Sequence, residues 1–321
     1  MSKSSPRAET LVVVLGPTAS GKSELAIQIA RHINGEIVNF DSIQVYRGFD
    51  IGSAKVPADQ RHGVPHHLID VLNPGDLFTA GDFARQARRV LSDIAERNRI
   101  PILAGGTGFY LRALLHGLSP APQRDPALRS RLLQREERRA GSLHRLLSRL
   151  DPPASARIHP NDHRKLIRAM ELCLIRRQPA SELWSQDKEA LQGFRPIKIG
   201  LDPPRAELYE RIDIRVAQMF ERGLLAEVQA IQASGAPKSA KPFESLGYAQ
   251  AIAHLEGRLS LNEAVTLAQQ ATRQYAKRQM TWFRREPGVQ WVADFGTRAE
   301  VQAAAIDGFE RPAAATTTGP E

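Results

Sequence analysis

The sequence predicts an α/β protein, a mostly parallel sheet flanked by helices and interrupted by a helical insertion. Three observations lead there. The apolar run LVVVL (Leu11–Leu15) passes directly into GPTASGKS (Gly16–Ser23), a strand followed by a glycine-rich turn and a helix. Strand and helix patterns then alternate along the chain, the signature of parallel strands joined by crossover helices. Between Pro120 and Pro196 the alternation stops: β-branched runs vanish, Arg and Leu dominate, and Pro152, Pro153 and Pro160 punctuate the stretch.

Each element follows from local pattern. Leu25, Ala26, Ile29, Ala30 and Ile33 recur at helical spacing, and Asn34-Gly35 ends that helix. Ile37–Phe40 is a short strand running into Asp41. Phe83, Ala87, Val90, Leu91 and Ile94 form one face of a second helix, which leads into the strand PILAGG (Pro101–Gly106). The core resumes with the strand IKIGLD (Ile197–Asp202) after the boundaries SPAPQRDP (Ser119–Pro126) and GFRP (Gly193–Pro196). Ser260 and Glu263 make a capping box that opens a long helix, with Ala264, Ala268, Ala271 and Tyr275 on one face. The expected organisation is a core of residues 1–119 and 196–295, an insertion of residues 120–195, and a disordered tail of residues 296–321 ending in PAAATTTGPE.

Composition bounds the function. The chain has 321 residues, 42% apolar and 25% charged, and a single cysteine, so no disulfide can form within it. MSKSSPRAET at the start has no apolar signal-peptide core, and no apolar run is long enough to span a bilayer. The expectation is a cytoplasmic protein without membrane contact, and a monomer. Net charge is +9, with 14 Lys+Arg against 6 Asp+Glu in residues 124–178. Arg273, Lys277, Arg278, Arg284 and Arg285 add a second basic stretch without an acid. Concentrated positive charge suits a polyanion, although solvated helix faces would look the same.

GPTASGKS fits G-x-x-x-x-G-K-[ST] in full, between strand and helix, which makes the fold P-loop NTPase-like. Gly16 and Gly21 let loop N–H groups converge on phosphate oxygens. Lys22 reaches the outer phosphate, and the Ser23 hydroxyl can hold Mg²⁺. The loop recognises phosphate, not a base, and the Asn-Lys-x-Asp motif of guanine readers is missing. Asp41, at the carboxyl end of its strand, is a magnesium partner, a proton acceptor or a cap for the next turn. GGTGFYLRAL (Gly105–Leu114) reaches the same edge, where Gly105 and Gly106 permit close approach and Thr107 offers a hydroxyl. His66-His67 is assigned a structural role, since no second cluster has metal-ligand spacing.

These segments resemble one family when taken together. GPTASGKS, DSIQVYRGFDIGSAK (Asp41–Lys55), PHHLID (Pro65–Asp70), FTAGDF (Phe78–Phe83), GGTGFYLRAL, RIHPNDHRKLIRAME (Arg157–Glu171) and ATRQYAKRQMTWFRR (Ala271–Arg285) are similar, in order, to the tRNA dimethylallyltransferases, also called isopentenyl-diphosphate:tRNA transferases. Ser23 and Ser53 stand where threonine is common, which keeps the hydroxyl. The resemblance implies transfer of a dimethylallyl group from dimethylallyl diphosphate to N6 of adenosine 37 in tRNAs reading codons that begin with U, with release of diphosphate. It implies that Asp41 is the general base and Thr107 a second catalytic-site residue. Gly16, Pro17, Thr18, Ala19, Ser20, Gly21, Lys22, Ser23 and Arg215 would bind the diphosphate, with Mg²⁺ at Ser23. It places tRNA contacts at Asp41, Ser42, Ile43 and Gln44, at Thr107 and Arg129, and at Arg164, Lys165, Leu166, Ile167 and Arg168. Further contacts fall on Ser245, Leu246, Gly247, Tyr248, Ala249 and Gln250, and on Lys277, Arg278, Gln279, Met280, Thr281, Trp282, Phe283 and Arg284. Two other readings stay open. A phosphate-loop kinase of small molecules or nucleosides explains the loop and Asp41 but not the basic insertion. A non-catalytic RNA-binding protein explains the charge but not Lys22, Ser23, Asp41 and Thr107 together.

Overall fold

The computed structural model describes residues 8–119, 121–186 and 188–310. By contact the chain divides into two compact units, residues 1–115 with 191–321, and residues 116–190.

The first unit begins β1 (Glu9–Leu15), α1 (Lys22–His32), β2 (Gly35–Asn39), β3 (His66–His67), α2 (Ala80–Glu96), β4 (Ile100–Ala104) and α3 (Gly108–Leu115). The second unit holds α4 (Pro126–Arg138), α5 (Ser142–Leu150), α6 (Pro152–Arg157), α7 (His163–Arg176) and α8 (Ala180–Ser185). The chain then completes the first unit with β5 (Phe194–Leu201), α9 (Arg205–Glu221), α10 (Leu224–Ala233), α11 (Tyr248–Leu255), α12 (Leu261–Phe283), β6 (Val289–Val292) and α13 (Ala299–Glu310). The six strands form one parallel sheet in the order β3-β2-β4-β1-β5-β6. The centre strand β1 is buried from Leu11 to Leu15, which is why it reads as a continuous apolar run rather than an alternation.

Register matters for the site. Ala104 pairs with Val14 on one side and Asn39 on the other, and Leu15 pairs with Gly200. The carboxyl ends of β1, β2, β4 and β5 therefore finish level, and the loops that follow meet along one edge. Gly105 is required there: a Cβ would sit 2.7 Å from the Phe40 carbonyl carbon. Ser260 and Glu263 do form the capping box that starts α12, as expected.

The disordered tail from residue 296 is corrected. Residues 299–310 form α13, with Val301 buried in the cluster that includes Leu25 and Ile29 of α1. Alanine-rich polar sequence hides such a helix, because it presents one narrow apolar stripe. The segment before it is anchored too: Phe295 is fully buried, and Arg211 stacks over its ring at 3.6 Å from the centroid. PAAATTTGPE lies outside the described residues.

The second unit has its own core, including Leu143, Leu147, Ala154, Leu166, Met170 and Leu183. Asp151 ties it together. One carboxylate oxygen accepts from the Ala154 N–H at 3.1 Å and the Ser181 hydroxyl at 2.7 Å, and the other from the Ser181 N–H at 2.8 Å. Burial pushes its pKa up, but these donors outweigh burial and hold it below the usual carboxylate range. Asp151→Ala is expected to cost roughly 2–3 kcal/mol of stability, read by urea denaturation. The contribution is present above the unfolded carboxylate pKa of about 4 and is lost as pH falls through the lower folded value.

Candidate active site

The phosphate loop is built as its sequence dictates. Gly16 (φ 149°) and Gly21 (φ 85°) take conformations that side chains disfavour. Gly21 also lacks room, since a Cβ would lie 2.8 Å from the Thr297 nitrogen. The Gly296 N–H donates to the Ser20 carbonyl at 2.9 Å, so the chain before α13 braces the outer side of the loop. Gly21 caps α1, leaving the positive end of that helix open toward the loop. The Ser20 hydroxyl is buried without a hydrogen-bond partner. Ser23, in the first turn, is exposed.

Lys22 donates to the Pro17 carbonyl at 2.5 Å. Burial, with the Arg215 guanidinium nearby, pushes its pKa down to about 7, although the Asp41 carboxylate pulls the other way. Arg215, on α9, is itself lowered by burial and supported by Asp41. Lys22, Arg215 and Asp41 thus form one electrostatic cluster at the carboxyl edge of the sheet.

Asp41 sits just past β2. Its N–H donates to the side-chain oxygen of Asn39 at 3.0 Å, and the Asn39 amide donates to the Leu68 carbonyl at 2.9 Å. Oδ1 of Asp41 accepts from the Ile43 N–H at 2.8 Å and the Gln44 N–H at 3.3 Å. Burial raises its pKa, opposed by those two amides and then by Lys22 and Arg215. One carboxylate oxygen caps the turn, and burial leaves the carboxylate more basic than an ordinary one. Thr107 is brought beside it. The Thr107 N–H donates to the Phe40 carbonyl at 3.2 Å, and its hydroxyl oxygen accepts from the Ser42 N–H at 3.0 Å.

Helix α12 closes the arrangement with two residues that sequence reading did not place there. Gln279 is 5% exposed. Its Oε1 accepts from the Thr18 N–H at 2.9 Å, and its Nε2 donates to the Gly106 carbonyl at 2.9 Å. Tyr275, one turn earlier, donates its hydroxyl to the same Gly106 carbonyl at 3.4 Å, and burial with the Asp41 charge pushes its pKa up. The signal was available: residues 275 and 279 continue the face of Ala264, Ala268 and Ala271.

Burial divides the expected RNA contacts into two sets. The side chains of Gln279, Met280 and Phe283 lie in the interior, as do those of Leu166, Ile167 and Tyr248. Tyr248 donates to Glu227 at 2.6 Å, whose carboxylate also accepts from the Ile51 N–H at 2.7 Å. Arg129 and Arg168 both pair with the buried Glu171, at 3.2 and 2.5 Å. Arg164, Lys165, Lys277, Arg278, Thr281, Trp282 and Arg284 face solvent. Ser42, Ile43, Gln44, Ser245, Leu246, Ala249 and Gln250 are half-buried. Lys277, Arg278, Thr281, Trp282 and Arg285, with Gln274, line an open groove of about 500 Å³. His67 pairs with Glu36 at 2.6 Å, a structural contact. Among the described residues no group of three or more His, Cys, Asp or Glu could hold a metal. No helix among them is long and apolar enough to cross a membrane.

Comparison with known proteins agrees with this geometry. A family model described as IPP transferase matches residues 44–286. A tRNA dimethylallyltransferase of Solibacter usitatus is 58% identical, the alignment covering 92% of this chain and 97% of that protein. One from Koribacter versatilis is 54% identical over 91% and 95%. The solved structure of a tRNA isopentenylpyrophosphate transferase from Bacillus halodurans superposes with a TM-score of 0.69 at 37% identity, covering 94% of this chain and 95% of that one. A eukaryotic dimethylallyltransferase acting on tRNA gives a TM-score of 0.78 at 27% identity, over 95% of this chain and 81% of that one. A phosphate loop facing a basic carboxylate, a flanking basic groove and relatives matched along nearly their whole length lead to one assignment: the chain belongs to the IPP transferase family.

Proposed function

We propose that this chain prenylates tRNA, transferring a dimethylallyl group from dimethylallyl diphosphate to N6 of adenosine 37, with diphosphate as the leaving group. The observation that carries the reading is Asp41, with its raised pKa, set in one electrostatic cluster with Lys22 of the phosphate loop and Arg215 of α9. An exocyclic adenine amine is a poor nucleophile because its lone pair is delocalised into the ring. Asp41 takes the N6 proton as the N6–carbon bond forms, and the carbon–oxygen bond to diphosphate breaks with its electron pair leaving on oxygen. Lys22, Arg215 and the loop amides meet the charge that develops there. Thr107, whose hydroxyl accepts from the Ser42 N–H beside Asp41, orients the reacting groups. The orphan Ser20 hydroxyl supports a ligand at the loop.

Mg²⁺ fits this donor set. Ser23 offers a hydroxyl where diphosphate oxygens would complete the shell, and Mg²⁺ is commonly held by substrate phosphates with few protein ligands. When bound, it would neutralise leaving-group charge. The adenine must leave its stack to reach Asp41, so the anticodon loop is read as single strand, with the target base flipped. The α12 groove and the exposed basic residues of α7 supply phosphate contacts. Exposed Trp282, edge-to-face with Phe109 at 6.3 Å, offers an aromatic surface beside the groove. The working site is the cytoplasm and the working unit a monomer. The kinase reading is not favoured, since relatives aligned over more than nine-tenths of this chain are tRNA dimethylallyltransferases by name.

The test is an assay with labelled dimethylallyl diphosphate, Mg²⁺ and unmodified tRNA, beside a tube holding ATP without tRNA. Label in N6-dimethylallyladenosine after digestion of the tRNA to nucleosides is expected. ATP consumption with unlabelled tRNA would overturn the reading. A second measurement checks the RNA surface. Arg164→Ala with Lys165→Ala is expected to weaken tRNA binding and flatten the slope of log affinity against log salt by about 1–2. Arg168 is the poorer choice, because its loss would also strip a partner from buried Glu171.

A further inference from the structure

We infer that Gln279 is a positioning residue that sets the spacing between the donor loop and the acceptor turn, not an RNA contact. The inference rests on the proposed transfer for its meaning, but on geometry for its support. Thr18 and Gly106 belong to loops that leave different strands, β1 and β4. Gln279 joins them through one planar amide, accepting from the Thr18 N–H and donating to the Gly106 carbonyl, each at 2.9 Å. The two bonds fix its orientation: the reversed amide would set donor against donor and acceptor against acceptor. A Cβ on residue 106 would lie 2.4 Å from Nε2, so Gly106 is the residue that admits this approach. Tyr275 reinforces the link by donating its hydroxyl to the same Gly106 carbonyl at 3.4 Å.

The consequence is specific. Gly106 precedes Thr107, and a Cβ on it would lie 3.7 Å from the Asp41 carboxylate. Thr18 lies within the loop whose amides would cradle diphosphate. The separation of the leaving group from the proton acceptor is therefore held by a side chain rather than by the sheet alone. A transfer reaction is sensitive to that separation, since small errors in reacting distance cost large factors in rate. The outer face of the same helix carries Arg278 and Trp282, so one helix holds the RNA groove on one side and the phosphate loop on the other.

The experiment is binding of inorganic diphosphate and of an anticodon stem-loop, each by calorimetry, on wild type and on Gln279→Leu and Gln279→Glu. Leu keeps bulk and removes both hydrogen bonds. Glu keeps the acceptor for Thr18 and removes the donor to Gly106. Diphosphate affinity is expected to fall about 10-fold in Gln279→Leu and further in Gln279→Glu, where a carboxylate is added beside the loop. Stem-loop affinity is expected to stay within about twofold in both, and kcat to fall by roughly 10–100-fold. Gln279→Glu keeps the test usable where Leu does not fold. Weakened stem-loop binding with unchanged diphosphate binding would overturn the inference and return Gln279 to the RNA surface. Equal loss of both ligands, or of neither, would also overturn it. Because neither ligand has to react, these outcomes are separate from failure of the transfer assay.

Discussion

Asp41→Asn is expected to lower kcat by roughly 10²–10⁴-fold while tRNA affinity changes little. Asparagine is the informative replacement. Its Oδ1 can still accept from the Ile43 and Gln44 N–H groups, so the turn that carries Ser42 and meets Thr107 keeps its shape. What is removed is the capacity to take a proton, together with the negative charge that Lys22 and Arg215 feel. Alanine would confound the result, because it also releases two amides from a half-buried turn. The wild-type profile supplies an independent check. Burial raises Asp41 above the ordinary carboxylate range, so its basic form is lost as pH falls through that raised value. The acid limb of the kcat–pH profile is expected to lie above pH 4, the ordinary region for a carboxylate, and to vanish in the variant. Lost tRNA affinity with turnover intact would remove Asp41 from the base role and leave it as a cap.

What the sequence made legible is what local pattern encodes. The phosphate loop is contiguous, so its glycines and Lys22 could be read directly. The strands of the centre are continuous apolar runs, and Asp41 and Thr107 each follow one, so their meeting at one edge followed from parallel topology. Other features depend on partners distant in sequence. The helix face of Gln279 announces its burial, but not that it bridges Thr18, 261 residues away. The family resemblance set it on the RNA surface together with Lys277 and Arg278. Leu166 and Ile167 entered the same way with Arg164 and Lys165, although period alone sends them to the core. Glu171 was invisible as the acid that occupies Arg129 and Arg168, because charge counting sums residues without pairing them. Residues 296–310 misled for another reason. Glycine, alanine and threonine form little apolar pattern, yet Gly296 is used for its smallness: a Cβ there would lie 2.6 Å from the Gly21 carbonyl oxygen.

Lys22→Met is expected to lower kcat/KM by roughly 10²–10³-fold and to raise the melting temperature of the ligand-free protein. Both effects have one cause. Burial and the Arg215 guanidinium bring Lys22 down to about 7, far below the value of about 10.4 that it has in an unfolded chain. Between those values the unfolded chain binds more protons than the native one, so native stability contributed by this group rises with pH across that window. At neutral pH the protein therefore keeps a desolvated, partly charged amine at some cost, and methionine relieves it. Diphosphate reverses the balance. An anion placed against the amine raises its pKa, so donor binding takes up a proton above about pH 7, and affinity falls as pH rises there. The slope of log affinity against pH approaches −1 in that window and flattens below it. Calorimetry of diphosphate binding in buffers of different ionisation enthalpy measures the proton uptake directly. In Lys22→Met the uptake is expected to disappear. Asp41 should then titrate higher, because Lys22 is one of the cations that hold it down. Unchanged proton uptake in the variant would assign the titration to another group, and a lowered melting temperature would mean that Lys22 is a structural cation rather than one held ready for the leaving group.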